Sequence, residues 1–270
     1  MRSIIATITV LWLAAVSLHA SEPVLRVAVI GGMSMSGMWQ KVAEAFEAKS
    51  GIAVETVVTG DKHTLDAYCR THPVDLVTMH SSDTISDLAA DGFAERLTPW
   101  ARNAQMIVGS RSNPARIAEG DSLEQALQKI AASRSLFLIH ASGGTFEVFA
   151  NLRSAYGFEP NVRFTTAKQG FLNEVARDEG YTLYGVIPFV MHKQHHPRIE
   201  GHFIDGAALH RPYLAAVGSR EQIGEERYRA ASKLLAFLTS EETQNLIQSF
   251  RIEGYEKLPV FFPVRQQERP

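Results

Sequence analysis

A buried strand, a loop of small residues and an amphipathic helix follow one another in residues 24–49, VLRVAVIGGMSMSGMWQKVAEAFEAK. The apolar run ends at Ile30, and glycines, serines and two methionines fill positions 31–37. From Met38 onward, apolar residues recur at the spacing of one helical face, as at Val42 and Phe46. This order is typical of an α/β fold, in which strands and helices alternate.

The alternation continues along the rest of the chain. Further strands are predicted at 52–58, 74–79, 105–109, 136–140, 182–188 and 213–218, and further helices at 64–71, 84–91, 123–133, 142–156, 170–179, 225–238 and 240–250. Residues 192–201 are expected to form an exposed loop. Ser240 and the two acidic residues after it predict the capped start of the last helix. The pattern predicts mostly parallel strands with right-handed crossovers.

The polar stretch from Ser110 to Asp121 is the predicted crossing between two lobes. Lobe one is expected at residues 23–109 plus 206–270, and lobe two at residues 110–205. Two α/β lobes joined by two chain crossings would form a hinged cleft. A single doubly wound domain is the alternative.

The first twenty residues have the build of a secretory signal peptide. Arg2 precedes an uncharged apolar run from Ile4 to Leu18, and small residues follow at Ala20. The run is shorter than the ~20 residues that a membrane-spanning helix needs. We therefore expect cleavage after Ala20 and a freely diffusing periplasmic protein, with a retained membrane anchor as the alternative.

The composition narrows the class of partner. The 270-residue chain has a formal net charge of −2 and 45% hydrophobic residues. The apolar content supports a packed core, and the lack of a basic excess argues against nucleic acid or an anionic membrane. The single cysteine, Cys69, cannot form an internal disulfide and is expected to be a buried helix residue rather than a reactive thiol. No cofactor is expected.

Two loops share one design, in which a strand runs into small residues that begin a helix. They lie at Gly31 to Met38 and at Ala141 to Val148. Helix N-termini expose unpaired N–H groups and about half a positive charge, which favours an anion, and glycines let a ligand approach the backbone. One copy in each predicted lobe indicates a ligand clamp. The alternative is that Ser36 and Ser142 only cap their helices.

Several short segments carry a family resemblance through their order and spacing. They are Ser36-Gly37, AFEAKSGI at 45–52, DLVTMH at 75–80, Ile107-Val108-Gly109, Gly144-Thr145, GYTL at 180–183, Arg211-Pro212-Tyr213 and AFLTSE at 236–241. In these segments the chain resembles the tungstate-type solute-binding proteins of ABC transporters, within the type II periplasmic binding protein superfamily. The resemblance implies two α/β lobes joined by a two-segment hinge, a small anion in the cleft and an ABC membrane permease as partner. The protein is expected to act as a monomer and not as an enzyme.

The chain departs from that family at both loops. The family's first loop is rich in Thr and Ser, whereas residues 31–36 are Gly-Gly-Met-Ser-Met-Ser, and the family's oxyanion-binding Arg corresponds to Ile139. Losing that Arg removes a charge-assisted hydrogen bond, the stronger kind of polar contact. Tungstate or molybdate is therefore expected to bind weakly unless Arg211 or a protonated histidine supplies the charge. An organic anion with a flat or apolar body is the alternative.

The candidate ligand-binding residues combine the two loops with three further positions. His80 ends a predicted strand, where open α/β sheets bind ligands. By resemblance, Gln169 belongs to a glycine-containing binding segment, and Arg211 lies on the segment that returns to lobe one. The full set is Gly32, Met33, Ser34, Met35, Ser36, His80, Ser142, Gly143, Gly144, Thr145, Gln169 and Arg211.

Methionines and histidines raise two metal alternatives. The thioethers of Met33, Met35 and Met38 are the type of ligand that selects Cu(I), which would make the chain a periplasmic copper-binding protein. Packing is the more common role of such methionines. A second group of imidazoles could hold a divalent ion, although a solvated loop is favoured because no cysteine or ordered carboxylate accompanies them. This group is His192, His195, His196 and His202.

A secreted hydrolase is the alternative from another class. Ser34, Ser36, His80 and His140 could in principle assemble a triad with an aspartate. The segment around Ser34 lacks the final Gly of the Gly-x-Ser-x-Gly nucleophile elbow, and nothing in the sequence orients a histidine toward either serine. No catalytic residue is therefore assigned.

Overall fold

The structure of the protein is a computed structural model that describes residues 23–141, 144–167, 170–203 and 206–264. The predicted signal peptide, residues 1–20, lies outside these ranges. The candidate residues Ser142, Gly143 and Gln169 also lie outside them, so their assignment stays a prediction. Within the described ranges, every helix is too short or too polar to cross a membrane.

The described residues form a mixed α/β structure. The strands are β1 (Leu25–Ile30), β2 (Val54–Gly60), β3 (Leu76–His80), β4 (Ala94–Ser110), β5 (Leu136–His140), β6 (Asn161–Thr165), β7 (Tyr181–Gly185), β8 (Ile199–Phe203), β9 (His210–Gly218) and β10 (Phe261–Pro263). The helices are α1 (Gly31–Met35), α2 (Met38–Ser50), α3 (Lys62–Thr71), α4 (Asp83–Ala90), α5 (Leu123–Ser133), α6 (Gly144–Tyr156), α7 (Phe171–Arg177), α8 (Val186–His192), α9 (Arg220–Leu238) and α10 (Glu241–Ser249). Short 3-10 turns lie at Lys193–His195 and Ala207–Leu209.

The strands hydrogen-bond in the order β2-β1-β3-β9-β4-β7-β5-β6, and β8 and β10 each pair with β4. The pairs within β2-β1-β3 and within β7-β5-β6 are parallel. Every described pair that includes β4 or β9 is antiparallel. The expectation of mostly parallel strands is therefore wrong for the middle of the structure. The reason is that β9 inserts between β3 and β4 from a distant part of the chain.

Strand β4 joins the two halves of the structure, because its two parts pair with strands of different halves. Its first part, Ala94 to Ala104, pairs with β9, and its second part, Gln105 to Gly109, pairs with β7. The sequence predicted only the second part as a strand. Register shifts between Glu95 and Ala101 interrupt the first part, and such bulges break the two-residue alternation by which a strand is recognised.

Two further boundaries differ from the prediction because a short apolar run fits either a strand or a buried helix. The strand predicted at 182–188 ends at Gly185, and residues 186–192 form α8. The loop predicted at 192–201 contains the first part of β8. The cap predicted at Ser240 is confirmed, since its hydroxyl accepts a hydrogen bond from the Thr243 N–H at 3.4 Å.

Buried apolar side chains form two clusters. The larger one surrounds β1, β3, β9 and the first part of β4, and it continues onto α7 and α8. The smaller one lies on the other face of the β4–β7 ladder, among α5, α6 and β5. Cys69 is buried in α3, as predicted, and burial raises the pKa of its thiol to about 12. A thiol in this state is a packing residue rather than a nucleophile.

Candidate functional site

The first loop connects β1 to two helices and uses its own serine in local hydrogen bonds. Strand β1 ends at Ile30, α1 begins at Gly31, and Gly37 supplies the left-handed turn (φ 77°) before α2. The Ser36 hydroxyl donates to the Met33 carbonyl at 3.0 Å and accepts from the Met38 N–H at 3.4 Å. The Ser36 hydroxyl therefore bonds to the backbone of its own loop, while the N-cap of α2 is Gly37, without a side-chain cap.

The three methionines around this loop have different environments. Met33 and Met38 have no exposed surface and belong to the larger core cluster, whereas Met35 is 51% exposed. The structure therefore places Met33 in the core and does not bring its side chain to a ligand-accessible surface. Because two of the methionines are buried in the core and the third is exposed, the copper interpretation gains no support from their placement.

Ser34 also lies apart from the centre of the predicted site. It lines a depression between α2 and β2, together with Trp39 and Thr56. Gly32, in contrast, faces the middle of the molecule. A Cβ atom at Gly32 would lie 3.9 Å from Ile187 Cδ1 and 4.0 Å from the Tyr213 hydroxyl. Gly32 therefore lies close to β9 and α8.

The second loop lies against a cation. A Cβ atom at Gly144 would lie 1.9 Å from Arg211 Cζ, so the guanidinium rests directly on the bare backbone at the start of α6. Arg211 is carried by β9, far away in the sequence, and its side chain is only 12% exposed. The structure thus brings together Gly144 and Arg211, two residues that the sequence proposed separately.

The Arg211 guanidinium has one carboxylate beside it. Glu147, on the first turn of α6, is 3.5 Å from Arg211 Nη2, and its side chain is 56% exposed. Burial lowers the pKa of Arg211, and the charges of Glu147 and Tyr213 oppose that shift. Because Glu147 is so exposed, this pair is weakly held, and an anion from solution could take its place.

A second cation, Lys62, was missed by the sequence reasoning. Lys62 is the first residue of α3. Burial lowers the pKa of its ammonium, and the positive charge of Arg211 lowers it further, whereas Glu147 and Asp83 raise it. Lys62 and Arg211 therefore share one neighbourhood, although they lie on different elements. The signal that could have revealed Lys62 is the turn Gly60-Asp61-Lys62, another small-residue junction between a strand and a helix.

His80 lies beside the same cations as a neutral group. Its Nε2–H donates to Asn103 Oδ1 at 3.2 Å, and its ring stacks on Tyr213 with centroids 4.1 Å apart. Burial, followed by the charge of Arg211, lowers the pKa of His80 to about 3, and the hydrogen bond to Asn103 opposes this. His80 therefore does not supply the positive charge that the sequence analysis allowed for a protonated histidine. The positive charges beside it belong to Arg211 and Lys62, and both lower its pKa.

Ile139, which replaces the family's Arg, is fully buried in the smaller core cluster. The next residue, His140, reaches a cavity of about 310 Å³ between β5, α6, α7 and β7. Thr145, the neighbour of Gly144, also lines this cavity, as do Phe171 and Tyr184. At the start of α6, Gly144 therefore contacts the Arg211 guanidinium, and the next residue, Thr145, lines a cavity with aromatic walls.

The remaining candidates do not assemble a metal centre in the described ranges. No group of three or more His, Cys, Asp or Glu residues there could hold a metal ion. His202 contacts the Ser110 carbonyl at 3.0 Å. The Ser36 hydroxyl bonds to the backbone and His80 bonds to Asn103, so these two residues do not form the pair that a hydrolase would need.

Known proteins share this architecture. A solved tungstate-binding protein from Desulfovibrio alaskensis superposes with a TM-score of 0.72 at 22% identity, covering 90% of this chain and all of that one. A tungstate ABC transporter structure from Geobacter sulfurreducens gives a TM-score of 0.67 at 22% identity, with 85% of this chain and all of that one covered. The shared fold is that of the type II periplasmic binding proteins.

Sequence comparison agrees with the structural likeness. A Haloferax volcanii protein, named provisionally as an ABC transporter anion-binding protein, is 22% identical over 244 residues, which are 87% of this chain and 70% of that protein. A family model described as bacterial extracellular solute-binding protein matches residues 27–251, most of the chain. The chain therefore belongs to the bacterial extracellular solute-binding protein family.

Proposed function

We propose that this protein captures a small anion between the start of α6 and the two cations Arg211 and Lys62, and delivers it to an ABC membrane permease. The observation that carries the proposal is the position of the Arg211 guanidinium on Gly144. An anion placed there could accept hydrogen bonds from the guanidinium and from the first N–H groups of α6, which has thirteen residues.

The charge balance supports an anionic ligand. Arg211 and Lys62 are partly buried like charges: the charge of Arg211 lowers the pKa of Lys62, and the charges of both lower the pKa of His80. The carboxylates of Asp83 and of the mostly exposed Glu147 offset them only in part, since the pKa of Lys62 stays lowered. An anion bound beside both cations would reduce the repulsion between them. This reduction would contribute favourably to the free energy of binding.

The strand pairing supports a two-lobed mechanism. In our proposal the β4–β9 ladder and its helices are lobe one, and the β4–β7 ladder and its helices are lobe two. The chain would cross between them at Ala104–Gln105, where β4 changes partner, and again just before His210. A ligand that contacts both lobes only in the closed form shifts the population toward closure. Small-angle scattering should then show compaction when a tight ligand binds.

The location follows from the family and from the N-terminal residues. Members of an extracellular family act outside the cytoplasm, and residues 1–20 resemble a cleavable signal peptide. We place the mature protein in the periplasm, starting near Ser21 and acting without catalysis on its ligand. N-terminal sequencing of the periplasmic fraction tests this, and recovery of an uncleaved chain in the inner membrane would contradict it.

The central test is an anion screen of the mature protein and three charge variants. Tungstate, molybdate, sulfate, phosphate and a set of carboxylates are added singly, and thermal shift and calorimetry give the affinities. Replacing Arg211 with Gln should weaken the best anion by about 100-fold, because a charge-assisted contact is lost. Replacing Lys62 with Gln should weaken it by about tenfold.

The matched control is Arg198→Gln, which removes the same charge from an exposed side chain that forms no ion pair in the described ranges. It should leave affinity unchanged. Equal losses in Arg198→Gln and Arg211→Gln would mean that only net charge matters. An Arg211→Gln variant that binds every anion as well as the parent protein would refute the proposed site.

A further inference from the structure

The cavity beside Thr145 is larger than a compact anion requires. Its volume is about 310 Å³, about ten times the share of one water in the liquid. Small-molecule sites in proteins occupy about 300–1,000 Å³. A tetrahedral oxyanion held at Arg211 would leave this cavity unfilled.

The lining of the cavity suits a flat apolar group. Phe171 and Tyr184 lie nearly parallel, with ring centroids 6.4 Å apart, and His140 meets Phe171 edge-on at 6.3 Å. Leu172 and Leu183 complete the apolar part. Aromatic side chains in this arrangement favour another ring by offset or edge-to-face contact.

The polar side chains of the described lining are the hydroxyls of Thr145 and Tyr184 and the imidazoles of His140 and His196. Burial raises the pKa of the Tyr184 hydroxyl. Burial also lowers the pKa of His196, and the neighbouring cationic side chains act in the same direction. None of the described lining residues is a carboxylate. The cavity can therefore hold a neutral body with few polar atoms, while the charge of the ligand stays at Arg211.

We infer that the ligand is an organic anion whose carboxylate or similar oxyanion group lies between Arg211 and Lys62 and whose flat apolar body fills the cavity lined by Thr145, Phe171 and Tyr184. This inference rests on the proposed function and adds the substrate class. The link between the two parts is the first turn of α6, where Gly144 contacts the guanidinium and Thr145 lines the cavity.

The experiment compares probes that share a charge but differ in body. Acetate carries the anionic group alone, benzoate and phenylacetate add a ring, and molybdate is a compact oxyanion. Calorimetry on the mature protein should give aromatic carboxylates an affinity about tenfold or more above acetate, because the ring surface leaves water. The inference is overturned if no aromatic carboxylate binds better than acetate.

Two variants locate the body of the ligand. Ala167 is exposed and lines the cavity, so Ala167→Trp fills the space without disturbing the core. It should abolish the preference for benzoate over acetate and leave molybdate binding unchanged. Its control is Ala67→Trp, at an exposed position of α3 away from the cavity.

Tyr184→Phe, with Tyr156→Phe as its control, should weaken the binding of only those probes that carry a polar ring substituent.

The outcomes separate this inference from the proposed function. Unchanged benzoate affinity in Ala167→Trp rejects the cavity as a subsite, although anion capture at Arg211 would stand. A higher affinity for molybdate than for every aromatic carboxylate would also reject the cavity as a subsite and leave anion capture at Arg211 standing. If Arg211→Gln leaves all anion affinities unchanged, the proposed function itself fails, and the inference fails with it.

Discussion

The two loops that look alike in sequence differ in what the rest of the molecule adds to them. Both follow a strand, contain glycine and serine and begin a helix. In the first loop the serine hydroxyl is used by its own backbone, and one methionine is buried in the core. In the second loop a guanidinium from β9 lies on Gly144. Loop sequence alone therefore does not mark a binding site, because the charge arrives from a distant strand.

The largest effect on anion binding is expected from a substitution that displaces the Arg211 guanidinium from the second loop. In Gly144→Ala the new methyl group would overlap the Arg211 guanidinium, whose Cζ lies 1.9 Å from the Cβ position. We expect anion affinity to fall by about 50-fold, or about 2.3 kcal/mol. Calorimetry measures this.

The control for that variant is Gly120→Ala, where a Cβ atom would meet nothing within 4 Å. Gly120→Ala should bind normally. An unchanged affinity in Gly144→Ala would show that the guanidinium can bind the ligand from another position and that its contact with the α6 backbone is dispensable.

The neutral state of His80, at the end of β3, can be tested through the pH dependence of stability. The pKa of His80 is lowered from 6.5 to about 3, so the unfolded chain takes up a proton in acid that the folded protein excludes. The stability that His80 contributes is complete above pH 6.5 and is lost as the pH falls from there toward about 3. Between pH 7 and pH 5 the loss should be about 2 kcal/mol.

Urea unfolding of the ligand-free protein across this pH range measures that loss. His80→Gln should flatten the decline, and His63→Gln, at an exposed position of α3, serves as the parallel control. A His80→Gln variant that loses stability with the parent slope would mean that His80 is protonated in the folded protein near neutral pH.

The first loop can be tested for a purely structural role. Ser36→Ala removes the hydroxyl that donates to the Met33 carbonyl and accepts from the Met38 N–H. Loss of these hydrogen bonds should lower the free energy of unfolding by about 1 kcal/mol. Anion affinity should not change, and a tenfold loss of affinity would return Ser36 to the ligand site.

The smallest expected effect concerns the carboxylate that occupies the second loop. Glu147 is 3.5 Å from Arg211 and mostly exposed, so it competes weakly with an anion from solution. Glu147→Gln should tighten anion binding by up to about fivefold, the range of a surface ion pair. Weaker binding in this variant would show instead that Glu147 holds Arg211 in place. Titration calorimetry at low salt gives the clearest difference.

Regular periodicity explains where the sequence predicted the fold well. Helix α5 and strand β5 have the predicted bounds, Leu123–Ser133 and Leu136–His140, since a capping box and a clean apolar pattern mark them. The first part of β4 was missed because its bulges disrupt the alternation. The position of β9 between β3 and β4 was also missed, since strand order depends on long-range pairing that no local pattern records.

The candidate site shows the same division. Residue types and turn chemistry were enough to nominate Gly144 and His80, because small residues at helix starts and groups at strand ends are recognisable locally. Arg211 was nominated only through the family resemblance. Sequence could not tell that Met33 is buried, that His80 is neutral or that Lys62 lies near Arg211. Burial and charge environment depend on neighbours from other elements, and these exist only once the chain has folded.

What the amino-acid order determined by itself was the alternation of strands and helices, the two small-residue helix starts and the family resemblance. These are local properties, set by the spacing of apolar residues and by backbone preferences of glycine and serine. What only the tertiary structure decided was which helix start carries charge. Strand β9 places Arg211 on Gly144, and the start of α3 places Lys62 nearby. The physical reason is that Coulomb interaction and desolvation act through space, between residues that the sequence holds far apart.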